Sequence, residues 1–271
     1  MTAATVAAPR HTVITRRGPI DALRDSLVLA GRNIVKIRKN PETLLDVTLQ
    51  PILFLFMFVY LFGGAIAGDT HAYLQMLMPG LMVQNIAFAS LGTGTALNTD
   101  ITKGVFDRFR SMPIARSAPL VGAVLGDIVR YLVAMAVLVI TAVILGFRVH
   151  TDPGSFLLVI ALMVVFGLCL CWVSVFVGML VKSPQAVPGV LVAFIMPLTF
   201  GSNVFAPTSS MPGWLQGWVK INPVTQLTDA ARGLLNGGPW ADHAAYAFLW
   251  ALAIAVVFFP LAFRAYRRRV G

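Results

Sequence analysis

Asp127 and Arg130 stand inside a long apolar stretch, and no other acid or base in this 271-residue chain is set so deeply in one. A charged side chain near the centre of a lipid-embedded helix costs about 2.5–3.5 kcal/mol on insertion scales, so it usually marks ion coupling or a compensated pair. Three residues apart, these two share a helix face and can neutralise each other. That spacing reads as a structural ion pair. It weakens the case for an ion-coupled secondary efflux carrier, which needs a free titrating group. Other chemistry finds little support. Cys169 and Cys171 point to different faces of a helix, which suits neither a disulfide nor a metal pair, and they read as small apolar side chains. His71, His150 and His243 fall in connections and His11 near the start, without ligand spacing, so no metal site is expected. No G-x-S-x-G or H-E-x-x-H pattern occurs, and the absence of any Gly-Lys dipeptide removes the phosphate-cradling P-loop. The chain is not expected to be an enzyme, and no catalytic residue is assigned.

A second concentration of charge is Asp100–Ser117 (DITKGVFDRFRSMPIARS), flanked by apolar stretches on both sides. Ile101, Val105, Phe106 and Phe109 fall on one helical face and can lie on a membrane, leaving Asp107, Arg108 and Arg110 outward, with Pro113 closing the segment. Such a segment either docks a soluble partner or solvates a loop.

The elements that position these groups are membrane helices. The chain is 58% hydrophobic and only 12% charged, against roughly 25% charged in soluble domains. Six stretches are long enough to cross a bilayer: about 47–67, 77–98, 120–147, 156–181, 187–205 and 244–263, with Pro79 and Pro197 expected to kink or break the second and fifth. Seventeen Lys and Arg lie on one side of these spans, and only Arg148, Lys220 and Arg232 on the other. By the positive-inside rule both termini are cytoplasmic, and the net charge of +10 follows from this topology rather than from nucleic-acid binding. No cleavable signal peptide is expected, so the first span would direct targeting.

Residues 1–19 read as a disordered cytoplasmic tail, and 20–40 as an amphipathic interfacial helix whose apolar face is Ile20, Leu23, Leu27, Ala30, Ile34 and Ile37. It is either an elbow that moves with transport or a passive anchor. Residues 41–271 form the six-span domain, and its outer connection, about 206–243, reads as a partly re-entrant helical hairpin. Trp214 and Trp218 suit the outer interface, Asn222-Pro223 opens the second helix, and Gly237-Gly238-Pro239 ends it. The fold class is all-α: a polytopic membrane protein with six transmembrane helices.

Two motifs carry a resemblance to the type-2 permeases of ABC transporters, and within them to the daunorubicin-resistance branch. The first is Asp100, Gly104, Asp107-Arg108 and Pro113, with Val105 where the family usually has Thr. The second is Asn222, Pro223, Val224 and Arg232. The resemblance covers roughly residues 20–269. It implies a permease in a bacterial inner membrane, working with a second permease copy or a sister permease and two copies of an ABC ATPase. ATP and Mg would be bound by that partner, no cofactor by this chain, and Asp100, Gly104, Asp107, Arg108, Arg110 and Pro113 would couple the two. The implied cargo is an amphipathic drug, antibiotic or lipid moved outward. The resemblance also places the second and fifth spans at the dimer seam. There Gln84, Phe88, Thr95 and Asn98, with Phe194, Thr199, Asn203 and Phe205, would line the substrate path or simply pack helices together.

Overall fold

The computed structural model describes residues 24–31, 41–106 and 118–270, with backbone alone at 41–47 and Val270. Ten α-helices account for most of them: α1 (24–31), α2 (Pro41–Ala67), α3 (Thr70–Ala89), α4 (Leu91–Thr102), α5 (Ala118–Ile144), α6 (Pro153–Leu180), α7 (Ala186–Phe200), α8 (Gly213–Ile221), α9 (Pro223–Asn236) and α10 (Ala241–Val270). No strand is present among the described residues. Tails 1–19, most of the 20–40 helix and the segment 107–117 lie outside them.

Five of these elements are long and apolar enough to cross a membrane: α2, the joined α3–α4, α5, α6 and α10. The expected fifth span, α7, has 15 residues. At 1.5 Å per residue it is roughly 22 Å long, short of the roughly 30 Å hydrocarbon core. Prolines are not what interrupts these helices. α3 runs through Pro79 and α7 through Pro197. The breaks fall instead at Ser90, whose hydroxyl donates to the Ala87 carbonyl (2.7 Å), and at Gly201, where the chain turns beneath α9.

α3–α4 forms the centre of the bundle: 78% of its apolar window is buried, against 17% for α2 and for α10. α6 crosses α4 at two facing glycines. A Cβ on Gly94 would overlap the Ser174 carbonyl, and one on Gly178 would overlap the Gly94 backbone. Without a hydrophobic drive between helices in lipid, close backbone approach and cross-helix polar contacts hold such a crossing. Ser174 Oγ accepts from Gly94 N (2.9 Å) and donates to the Leu91 carbonyl (2.9 Å).

The end of α6 is closed by two neighbouring elements. Asn98 Nδ2 donates to the carbonyls of Gly178 (2.7 Å) and Val181 (2.6 Å), and Arg269 Nη1 donates to Gly178 (2.8 Å), Met179 (2.9 Å) and Val181 (2.6 Å). These are carbonyls that the last turn of a helix leaves without partners. Higher up, Trp172 packs edge-on against Phe259 of α10, centroids 4.6 Å apart. α1 meets the start of α5, where a Cβ on Gly122 would lie 2.8 Å from the Leu29 Cβ. Lys103, Lys182 and Arg267–Arg269 thus gather at one end of the bundle, hereafter the basic end.

The opposite end carries α8 and α9. Asp69 and Asp152 cap α3 and α6 there, and their carboxyls are held below the usual range, chiefly by the Ala72 N–H and by Ser155 respectively. α8 exposes Trp214 and Trp218, whereas α9 is buried along most of its length. Asn222 joins them: its side chain accepts from Val224 N (2.9 Å) and donates to the Leu198 (2.8 Å) and Gly201 (3.0 Å) carbonyls, capping α9 and α7 together. Pro223 takes the first helical position, and Gly237, at φ +83°, ends the helix in a conformation that only glycine adopts freely.

Arg232 anchors this end. Its guanidinium donates to the carbonyls of Met76 (3.0 Å), Asn203 (2.7 Å) and Val204 (3.3 Å) and pairs with Asp229 at 3.3 Å. Burial lowers its pKa and Asp229 opposes that shift. Arg232→Ala is expected to cost about 1–3 kcal/mol, because buried carbonyls lose their donor. Thermal unfolding in detergent would register this as a lowered midpoint, and an unchanged midpoint would contradict the anchoring role.

Candidate functional site

A cavity of about 880 Å³ opens between α2, α3–α4, α5 and α7, in the half of the bundle nearer the basic end. Ligand pockets run from roughly 300 to 1,000 Å³. Its walls are mostly carbon: Leu53, Phe54 and Met57 from α2, and Leu81 and Phe88 from α3. Its polar groups are the amides of Gln50, Gln84 and Asn85, Thr95 and Thr99 one turn apart on α4, and the Arg130 guanidinium.

Each polar group arrives by a different local cause. Gln84, Phe88 and Thr95 recur at intervals that keep them on one side of α3–α4, despite the irregularity at Ser90. Arg130 reaches the cavity from α5 because position 92 is glycine: a Cβ there would lie 2.6 Å from Arg130 Nη1. The guanidinium donates to the Ala89 carbonyl exposed at the helix break and pairs with Asp127 at 3.1 Å.

Behind the pair lies a small polar core. Thr93 donates to Asp127, Cys171 Sγ lies 3.4 Å from the same carboxylate oxygen, and the Tyr131 hydroxyl is 2.7 Å from that sulfur. Asp127 is therefore held by Arg130, Thr93 and Cys171. Cys171 is not the plain apolar filler that its sequence context suggests; it bridges Asp127 and Tyr131. Both cysteines are free, and no cluster that could hold a metal occurs among the described residues.

Of the residues expected along a substrate path, the fold brings Gln84, Phe88 and Thr95 to the cavity and sends the others elsewhere. Asn98 is fully buried and closes the end of α6. Phe194 lies exposed on α7. Thr199 bonds back to Ile195 O in its own helix (2.9 Å), and Asn203 donates to Asp229 (2.7 Å). Phe205 stacks between Phe58 (4.4 Å) and Phe200 (4.9 Å). Asn85, Gly92 and the α2 wall carry no sequence signal of equal clarity. Asn85 is the one with a hint, as a second amide beside Gln84 inside an apolar run.

Asp100 and Gly104 sit where α4 ends, at Thr102, with Gly104 at φ +68°. Two residues on, Phe106 is buried edge-on against Tyr266 of α10 (5.7 Å). It faces protein, where amphipathic spacing alone places it on the membrane. Asp107, Arg108, Arg110 and Pro113 lie outside the described residues.

A bundle that is all-helical among the described residues, with several membrane-length spans, defines a polytopic membrane protein. The model of the ABC-2 type transporter family matches residues 25–236, and the chain belongs to that family. The daunorubicin resistance ABC transporter permease protein DrrB1 of Streptomyces coeruleorubidus is 39% identical over 251 residues, 92% of this chain and 88% of that protein. A probable doxorubicin resistance ABC transporter permease protein DrrC of Mycobacterium tuberculosis is 26% identical over 233 residues, covering 86% and 84% of the two chains. A putative transport permease, ycf38, of Cyanophora paradoxa is 26% identical over 224 residues, covering 80% and 76%. The resemblance read from Asp100–Pro113 and Asn222–Arg232 agrees with the family match.

Proposed function

We propose that this chain is the membrane-spanning half of an exporter that moves an amphipathic drug, antibiotic or lipid outward, driven by a separate ATPase. The observation that carries this reading is the 39% identity, along nearly the whole chain, to a permease named for daunorubicin resistance. The cavity supports it: apolar walls with a few convergent polar groups suit a molecule that is part hydrocarbon and part polar. In this reading α7 is the fifth of six spans, completed by the turn that follows it. On the same reading the basic end faces the cytoplasm of a bacterial inner membrane, an orientation that the distribution of Lys and Arg supports.

Asp100–Ser117 then lies where an ATPase can reach it, with Asp107, Arg108 and Arg110 offered for docking and ATP and Mg held by the partner. The segment leaves α4 through Gly104 and is tied to α10 through Phe106 and Tyr266. α4 also lines the cavity, so a push on the segment acts on the helix that carries Thr95 and Thr99. Two copies of the permease, or this chain and a sister, would enclose the path between them.

The test is ATP-dependent uptake of doxorubicin into inverted vesicles carrying this chain with its ATPase. Asp107→Lys with Arg108→Glu is expected to abolish uptake while leaving the amount of permease in the membrane unchanged. Full uptake by that double variant would remove the coupling role from these residues.

A further inference from the structure

α10 keeps one face uncovered along its whole length. Tyr246, Trp250, Val257, Pro260, Arg264 and Arg268 are all exposed, and spacings of three, four and seven hold them in a single stripe. Its other faces meet protein. Trp172 packs against Phe259 and Phe263, Phe106 against Tyr266, and Arg269 donates to the carbonyls that end α6. From Tyr246 to Arg264 the helix axis rises about 27 Å at 1.5 Å per residue, close to the roughly 30 Å depth of the hydrocarbon core. The stripe thus has the profile of a lipid-facing surface, with aromatic side chains at one boundary and arginines at the other.

Arg269 turns towards α6, but its neighbours do not follow it. Arg264, Arg267 and Arg268 are exposed and make no ion pair or hydrogen bond among the described residues. We infer that Arg264 and Arg268 hold the phosphate of an anionic phospholipid whose acyl chains lie along Pro260 and Val257. Residues four apart are neighbours on a helix face, with Cβ atoms about 5–6 Å apart, so both guanidiniums reach one phosphate. Arginine suits that role better than lysine, because its planar fork meets phosphate oxygens in pairs.

Charge selects among lipids. Arg267 adds a third positive charge at the edge of the stripe, so the ammonium of a choline or ethanolamine headgroup would be repelled there, whereas a glycerol headgroup carries no positive charge. Protein occupants fit less well. A second copy related by a two-fold axis along the membrane normal would set the stripe against itself, arginine facing arginine. A soluble partner could reach the arginines but not Val257, which lies at membrane depth. α10 contributes nothing to the cavity between α2, α3–α4, α5 and α7, so the site goes beyond the exporter reading and does not depend on its cargo.

The experiment is native mass spectrometry of the full-length chain, released from micelles doped with equal amounts of dioleoyl phosphatidylglycerol and dioleoyl phosphatidylcholine. One basic residue near an anionic surface changes binding about fivefold, so two give about 25-fold. The wild type should retain a first phosphatidylglycerol over phosphatidylcholine by roughly that ratio. Arg264→Gln with Arg268→Gln should bring the two lipids to near parity, with the lipid-free thermal midpoint unchanged because both side chains are exposed. Lys182→Gln with Lys220→Gln removes the same charge away from the stripe and should keep the preference.

Equal retention of the two lipids by the wild type would overturn the inference, and so would an arginine double variant that still prefers phosphatidylglycerol. If that variant keeps its lipid preference and loses a co-purifying ATPase, the arginines belong to a protein contact instead. Equal loss of preference in the lysine pair would reduce the effect to overall charge and remove the site. Disulfide-linked dimers formed in membranes by Val257→Cys, and absent from the wild type, would place a second copy on the stripe and overturn the lipid assignment as well.

Discussion

Gly94→Val is expected to be among the most damaging single changes in the chain. The added Cβ would be driven into the backbone carbonyl of Ser174, and the partner helix cannot yield locally because Gly178 is equally close on the other side of the crossing. Overpacking of a fitted interior costs about 1–3 kcal/mol and sometimes more, and here the obstacle is backbone rather than a mobile side chain. Separating α4 from α6 would also break the Gly94–Ser174 and Asn98–Gly178 hydrogen bonds. The measurement is the fraction of protein that stays monodisperse in mild detergent after brief heating. Gly94→Val should aggregate at temperatures where the wild type remains intact, while Gly64→Val, whose added Cβ meets nothing within 4 Å, should behave like the wild type. Equal survival of the two variants would mean that the glycine crossing is looser than its geometry indicates.

Arg130→Ala is expected to be at least as damaging. Removing one partner of a buried ion pair leaves the other charge uncompensated, at about 3–5 kcal/mol. Thr93 and Cys171 would still face Asp127, but neither carries a positive charge. The sign of the effect can be reversed. Asp127→Leu together with Arg130→Met removes both charges at similar volume, and such replacements are often neutral or stabilising. Thermal midpoints should therefore fall sharply for the single variant and recover in the double one. A double variant no better than the single would locate Arg130's contribution in its contact with the Ala89 carbonyl and not in the pair.

These two sites differ in how far they can be read from sequence. The Asp127–Arg130 contact is legible because a spacing of three fixes the common face whatever surrounds the helix. The Asn222–Pro223 start and Gly237 end of α9 are legible for the same reason: capping and left-handed backbone are local requirements. The glycine crossing is not, since Gly94 and Gly178 are far apart in the chain and nothing local says that they face each other. The cavity depends likewise on α2 lying across α3–α4 with Arg130 behind them.

Helix ends followed the same divide. Pro79 and Pro197 look like interruptions, yet both helices continue through them, and Ser90 and Gly201 mark the breaks instead. A missing N–H can be accommodated inside a packed bundle, whereas the break at Ser90 leaves the Ala89 carbonyl to Arg130. Phe205 and Asn98 have the residue types expected of a substrate path but spend their side chains on packing and helix closure. Type and periodicity place a residue on a face; only the assembled neighbours decide what that face meets.

We propose that energy reaches this chain from a separate ATPase through Asp100–Ser117. The most direct test is affinity purification of the chain from its native host in mild detergent, with mass spectrometry of the proteins that accompany it. A P-loop ATPase in roughly equal amount is expected, lost when Asp107 and Arg108 are reversed in charge although the permease itself remains folded. An intact chain that brings down no ATPase would contradict it and return attention to Asp127 and Arg130 as the machinery of an ion-coupled carrier.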